Sequence, residues 1–136
     1  MSYGVSAALQ AAVYQALTGD AALVGLVGNA IYDALPTGTL PATYVTLGPE
    51  SVREKSDKTG QGALHTIIIS VVTDTAGFQA AKAVAAAVSD TLAGGDLSLV
   101  RGKLIYLNFD RALARLEGTG TQRRIDLRFR ARVQDD

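Results

Sequence analysis

Ile67-Ile68-Ile69-Ser70-Val71-Val72, followed by Thr73-Asp74-Thr75, is the stretch on which the fold turns. The hexapeptide is apolar on both faces, the pattern of a central strand held between two layers. Thr73, Asp74 and Thr75 interrupt it. Asp74 or Thr75 can cap a helix whose apolar positions Phe78, Ala81, Ala85, Val88 and Leu92 recur at spacings of three and four, with Gly94 and Gly95 placed to end it. The alanine-rich surface from Ala80 to Ala87 allows close backbone approach, so this helix is expected to pack tightly against a sheet or another helix.

On the N-terminal side, Ser2 can cap a helix from about Tyr3 to Leu17 with the apolar stripe Val5, Leu9, Ala12, Val13, Ala16 and Leu17, stopped by Gly19. Asp20 reads as the cap of a short second helix through Leu26, ended by Gly28 and Asn29. Ile31 to Pro36 leads into an irregular crossing closed by Pro41. Tyr44 to Leu47 reads as a strand, with Gly48 and Pro49 marking its end or an edge position, because proline cannot donate to a ladder. Ser51 to Gly62 holds Val52 as its one sizeable apolar side chain and reads as a long polar hairpin loop, either a functional projection or locally disordered.

On the C-terminal side, Leu97 and Leu99 lead to Gly102, and Leu104 to Leu107 begin a strand in which Ile105, Leu107 and Phe109 share a face. Continued alternation would put Arg111 on that face, so either the strand leaves the core or a bulge near Asn108 and Asp110 shifts the register. Glu117 to Thr121 forms a hairpin turn. The returning strand alternates strictly, with Ile125, Leu127, Phe129, Ala131 and Val133 inward and Arg124, Asp126, Arg128, Arg130 and Arg132 outward. The expected fold is α+β, a mostly antiparallel sheet of about four strands with helices on one face, in the order α-α-β-β-α-β-β over a single domain spanning residues 1–136.

Of the 136 residues, 48% are hydrophobic and 19% charged, a globular composition, and there is no cysteine for a disulfide framework, thiolate metal site or thiol nucleophile. No signal-peptide pattern or membrane-spanning run is visible, so a soluble, non-exported protein is expected. Charge divides along the chain. Residues 1–100 carry Arg53, Lys55, Lys58 and Lys82 against eight acidic residues for a net −4, and residues 101–136 carry nine basic residues against five acidic for +4. A neutral chain with opposite halves suits contact with a copy of itself head to tail. On charge alone, the arginines also read as a solvated sheet face.

Catalytic and ligand-binding patterns are lacking. His65 is the only histidine and opens an apolar strand, which favours a structural role over that of a general base or metal ligand. The carboxylates are scattered without metal-ligand or paired acid–base spacing, and Gly118 and Gly120 make only a G-x-G within a turn. No catalytic, cofactor or metal residues are therefore assigned. The arginine-rich C-terminal hairpin leaves an alternative reading open, that of a small nucleic-acid-binding module, although no stacking aromatics are interleaved with it.

Ala8 to Leu17, then Asp20-Ala21-Ala22-Leu23 and Ile31 to Pro36, resemble the start of the tail-terminator, or tail-completion, proteins of long-tailed phages. Tyr44 to Gly48, the polar loop through Lys55 to Thr59, His65, the alanine-rich helix and Arg128-Phe129-Arg130-Ala131 follow in the family's order, and the sequence is most similar to the version in gene transfer agents of alphaproteobacteria. The resemblance implies a non-enzymatic protein needing no cofactor. Family members form a hexameric ring that caps the tail tube, ends its polymerisation and meets the head-completion (neck) proteins at the head–tail junction of a particle assembled in the bacterial cytoplasm. DNA would pass the channel without specific binding, and no membrane is involved. On this reading the loop residues Arg53, Glu54, Lys55, Asp57 and Lys58 meet the tail tube or a neighbouring subunit. Arg124, Arg128, Arg130 and Arg132 meet a subunit or face the channel.

Overall fold

The computed structural model describes residues 3–56, 60–118 and 120–135. The expected cap Ser2, the loop residues Asp57, Lys58 and Thr59, the turn residue Thr119 and the tail residue Asp136 lie outside them. The described elements run α1 (Ser6–Thr18), α2 (Ala21–Val27), β1 (Ile31–Tyr32), β2 (Thr43–Glu54), β3 (Gly62–Thr73), α3 (Gln79–Leu92), β4 (Lys103–Glu117) and β5 (Gln122–Gln134). They build one sheet in the order β1-β2-β3-β5-β4, antiparallel except for the parallel β1–β2 pair.

The architecture is the expected α+β arrangement with an extra strand, β1, in the segment read as an irregular crossing. β3 is central as expected, flanked by β2 and β5. Its inward residues Ile69 and Val71 join Val5, just before α1, with α1's Leu9, Val13 and Leu17 and α3's Ala81, Val84, Val88 and Leu92 in one apolar core. Only that face is buried by helices. On the other face Ile68 stays half-exposed opposite Arg128, so the unbroken apolar run does not signal two covering layers. A small second cluster of Ala30, Tyr44 and Val72 forms near β1, with Val27, Tyr32 and Leu40 against it.

Two boundaries differ from the sequence reading for identifiable reasons. Gly48 and Pro49 do not end β2. They sit in a register shift between Leu47 and Glu50, after which β2 pairs with β3 as far as Glu54, so the hairpin connection is shorter than the expected loop from Ser51. α3 is not capped by Asp74 or Thr75: it starts after Phe78 without a side-chain cap, while the Thr73 hydroxyl accepts the Thr75 N–H at 3.2 Å in the preceding turn. Asp20 does cap α2, its carboxylate accepting the Leu23 N–H at 2.9 Å.

β4 resolves the conflict at Arg111 through a bulge. The register shifts between Phe109 and Arg111, which keeps Phe109 inward opposite Phe129 and turns Arg111 outward opposite Arg128. A second shift between Leu104 and Tyr106 expels Ile105, which was expected to share the inner face, and brings Leu104 to pack against the core instead.

Candidate functional site

Strict alternation in β5 buries Ile125, Leu127, Phe129, Ala131 and Val133 and sets Arg124, Asp126, Arg128, Arg130 and Arg132 on the helix-free face. Pairing with β4 adds Arg115 beside Arg124, Leu113 beside Asp126 and Arg111 beside Arg128, and pairing with β3 adds Ser70 and Ile68. Asp126 organises the upper part of this surface. It accepts the Ser70 hydroxyl at 2.6 Å, the Arg124 Nε at 2.9 Å and the Arg115 Nη1 at 2.7 Å. Partial burial alone would raise its pKa, but these three donors outweigh that and hold the carboxyl below the usual range, while Asp126 in turn raises Arg115. In the middle, the Asp110 carboxylate accepts Arg128 Nε at 2.5 Å and lies 3.6 Å from Arg130 Nε.

The second group predicted from sequence lies at the β2–β3 hairpin. Arg53 and Glu54 end β2, and the Lys55 N–H donates to the Gly62 carbonyl at 2.9 Å. Arg53, Glu54 and Lys55 are exposed. The Glu54 carboxylate accepts the Ser56 hydroxyl and its N–H, and these bonds help hold its pKa below the usual carboxylate range. Arg132 connects this hairpin to the arginine row, its Nη2 donating to the Lys55 carbonyl at 2.8 Å. Thus the two groups, nearly eighty residues apart in sequence, adjoin in the fold through Arg132. Asp57 and Lys58 are outside the described residues.

His65 is fully buried, and its Nδ1 lies 2.9 Å from Glu50 Oε2. Glu50 Oε1 accepts the Ser6 hydroxyl at 2.8 Å and the Tyr3 hydroxyl at 3.1 Å. The sequence reading saw no partner for His65 because Glu50 reaches it only through the β2–β3 register after the bulge. This geometry is that of a tie between α1 and the sheet. Among the described residues no group of three or more potential metal ligands comes together, and no helix is long and apolar enough to cross a membrane. What the surface offers is charge and exposed apolar area. Leu113 stands 47% exposed between Arg111 and Arg115, and Phe109, on the helix side of the same strand, is 45% exposed.

Residues 11–134 match the model of the family described as tail completion protein gp17. Among solved structures, a chain in the virion of a native gene transfer agent (GTA) particle is 62% identical, superposes with a TM-score of 0.94, and is matched over 98% of this chain and 99% of its own length. No curated protein matches.

Proposed function

Because the chain belongs to the tail completion protein gp17 family, we propose that it is a structural component of a phage-like gene transfer agent particle, where it completes the tail rather than catalysing a reaction. The observation that carries this is the likeness, over nearly the whole of both chains, to a protein of a native gene transfer agent virion. At that identity and coverage the two chains share one fold along their whole length, which supports comparable surroundings for them.

In finer detail, the chain acts as one domain and as one subunit of a hexameric ring at the head–tail junction. The ring caps the tail tube, ends its polymerisation and joins the head-completion proteins. Arg53, Glu54 and Lys55, with Asp57 and Lys58, reach from the hairpin to the tail tube protein or a neighbouring subunit. Arg124, Arg128, Arg130 and Arg132 face the axial channel or an adjoining subunit. Asp126 and Asp110 engage several of these arginines, which favours passage of DNA over tight binding. The nucleic-acid-module reading draws on the same arginines and requires an affinity that falls steeply with added salt.

Imaging of native particles tests the proposal directly. A closed ring of copies between tube and capsid is the expected result; absence from that junction, or a solitary copy there, would overturn it. Replacing Arg53, Lys55 and Lys58 with alanine is expected to leave the fold intact but give tails of abnormal length or tails that fail to join heads. Normal tails joined to heads would refute the role of the hairpin.

A further inference from the structure

Apart from Tyr3 and Val100, the large apolar side chains left in water among the described residues are concentrated at the two ends of the sheet. At the β4 end stand Ile105, Phe109, Leu113 and Leu116; at the β1 end stand Val24 and Leu26 on α2 and Leu35 just after β1; each of the seven is 38–54% exposed. β4 is an edge strand. Its Leu107 carbonyl accepts the Gly94 N–H at 2.7 Å, but from Asn108 to Glu117 no described strand lies against its outer side. That leaves about 33 Å of ladder-forming backbone, flanked by apolar side chains on both faces, with no strand beside it.

Charge divides along the same axis. Residues 3–50, which build α1, α2, β1 and most of the β1 end of the sheet, contain Asp20, Asp33 and Glu50 and no lysine, arginine or histidine. The β4–β5 hairpin is arginine-rich, and among the described residues Arg111, at the β4 end, makes no ion pair. The two ends are separated by the width of a five-stranded sheet, about 20 Å. We propose that the β4 edge of one copy of this chain docks against the acidic α2–β1 end of the next.

A contact between two different patches at opposite ends of one subunit is heterologous, and repetition of it closes a ring when the rotation per subunit permits. The competing arrangement, β4 against β4 of a second copy, would bring Arg111 and its neighbours towards their own like charges, which disfavours it. Both patches have apolar side chains with charge around them, the composition of a subunit contact. The inference rests on the ring reading above but concerns which surfaces meet.

The absence of native cysteine allows a direct test. Particles are assembled with the double variant Leu35→Cys/Leu113→Cys and treated with a short bis-maleimide, alongside each single variant. Leu26→Cys in place of Leu35→Cys serves as a second reporter, and circular dichroism of each purified variant checks its fold. The expected result is a ladder of covalent multimers beyond the dimer in a double variant and none in either single one. Covalent dimers from Leu113→Cys alone would establish the β4–β4 arrangement and overturn the proposal. So would the absence of cross-links in both double variants when they occupy the junction as rings; there the ring reading would stand. Wild-type particles with no ring would instead remove that reading, and this contact with it.

Discussion

The Nδ1 of His65 lies 2.9 Å from Oε2 of Glu50, and the other oxygen of that carboxylate holds the first residue of α1 through the Ser6 hydroxyl. A carboxylate can only accept, so Nδ1 carries the proton. The connection joins three elements that are distant in sequence: the β2 bulge, the central strand and the N-terminal turn of α1.

Removal of Glu50 should therefore cost more than its partial exposure suggests. Glu50→Ala strands a fully buried imidazole whose Nε2 already has no hydrogen-bond partner among the described residues, and it is expected to lower stability by about 1–3 kcal/mol. Glu50→Gln, which keeps an accepting oxygen, should lose less. Urea unfolding checks this through the midpoint at constant slope; equal losses for the two variants would show that the acceptor is not what matters.

Asp126 predicts an acid-side signature. Its pKa is lowered in the folded protein by Ser70, Arg124 and Arg115 against an opposing effect of burial, so folding favours its ionised form. A depressed folded pKa contributes stability that is fully present above the unfolded value, near 3.9, and is lost as pH falls through the folded value. Asp126→Asn should thus lower the thermal midpoint by an amount that is constant from about pH 5 upward and shrinks below about pH 4. A deficit independent of pH down to acid unfolding would contradict this.

How much of this was legible in the sequence follows from the range of the interactions involved. The β5 alternation and the Asp20 cap are local patterns, and both stand as read. The conflict at Arg111 was visible as a broken alternation, and the bulge resolves it. β1 leaves no mark in the sequence because two residues carry no periodicity, and Gly-Pro reads as a stop to β2 because the bulge that absorbs it depends on the partner strand. The arginines were found as a row, but not their carboxylate partners: the bond between Arg128 and Asp110 needs the β4–β5 register and the bulge together. The exposed β4 edge was invisible for the same reason, since being at an edge is a property of the sheet.

Gly102 offers a test of the backbone leading into β4. It has φ +74, and a Cβ there would come within 2.5 Å of the Gln134 carbonyl and 2.9 Å of a Val5 methyl. The left-handed conformation costs a non-glycine residue about 1–2 kcal/mol, and overpacking adds about 1–3 kcal/mol. Gly102→Ala should accordingly destabilise by about 2–5 kcal/mol, measured by denaturant unfolding. A loss below about 0.5 kcal/mol, the level of an ordinary surface change, would mean that the turn relaxes freely.

Phe109 and Phe129 face each other across the β4–β5 ladder, ring centroids 5.9 Å apart and nearly perpendicular, yet their substitutions should separate folding from assembly. Phe129 is fully buried beneath α3, whereas Phe109 is 45% exposed at the β4 edge. Phe129→Ala should cost about 3–5 kcal/mol, the usual range for a buried phenylalanine, and reduce incorporation into particles by reducing the folded population. Phe109→Ala removes a half-exposed ring and about 0.5–1.5 kcal/mol of edge-to-face interaction, so the isolated protein should stay folded. If the β4 edge is the contact proposed above, Phe109→Ala should still lower incorporation severalfold, because the exposed part of that ring would be buried by the neighbouring subunit. Chemical unfolding of the purified variants, set beside their abundance in assembled particles, separates the two effects. A Phe109→Ala protein that is stable and incorporated at the wild-type level would remove this side chain from the contact.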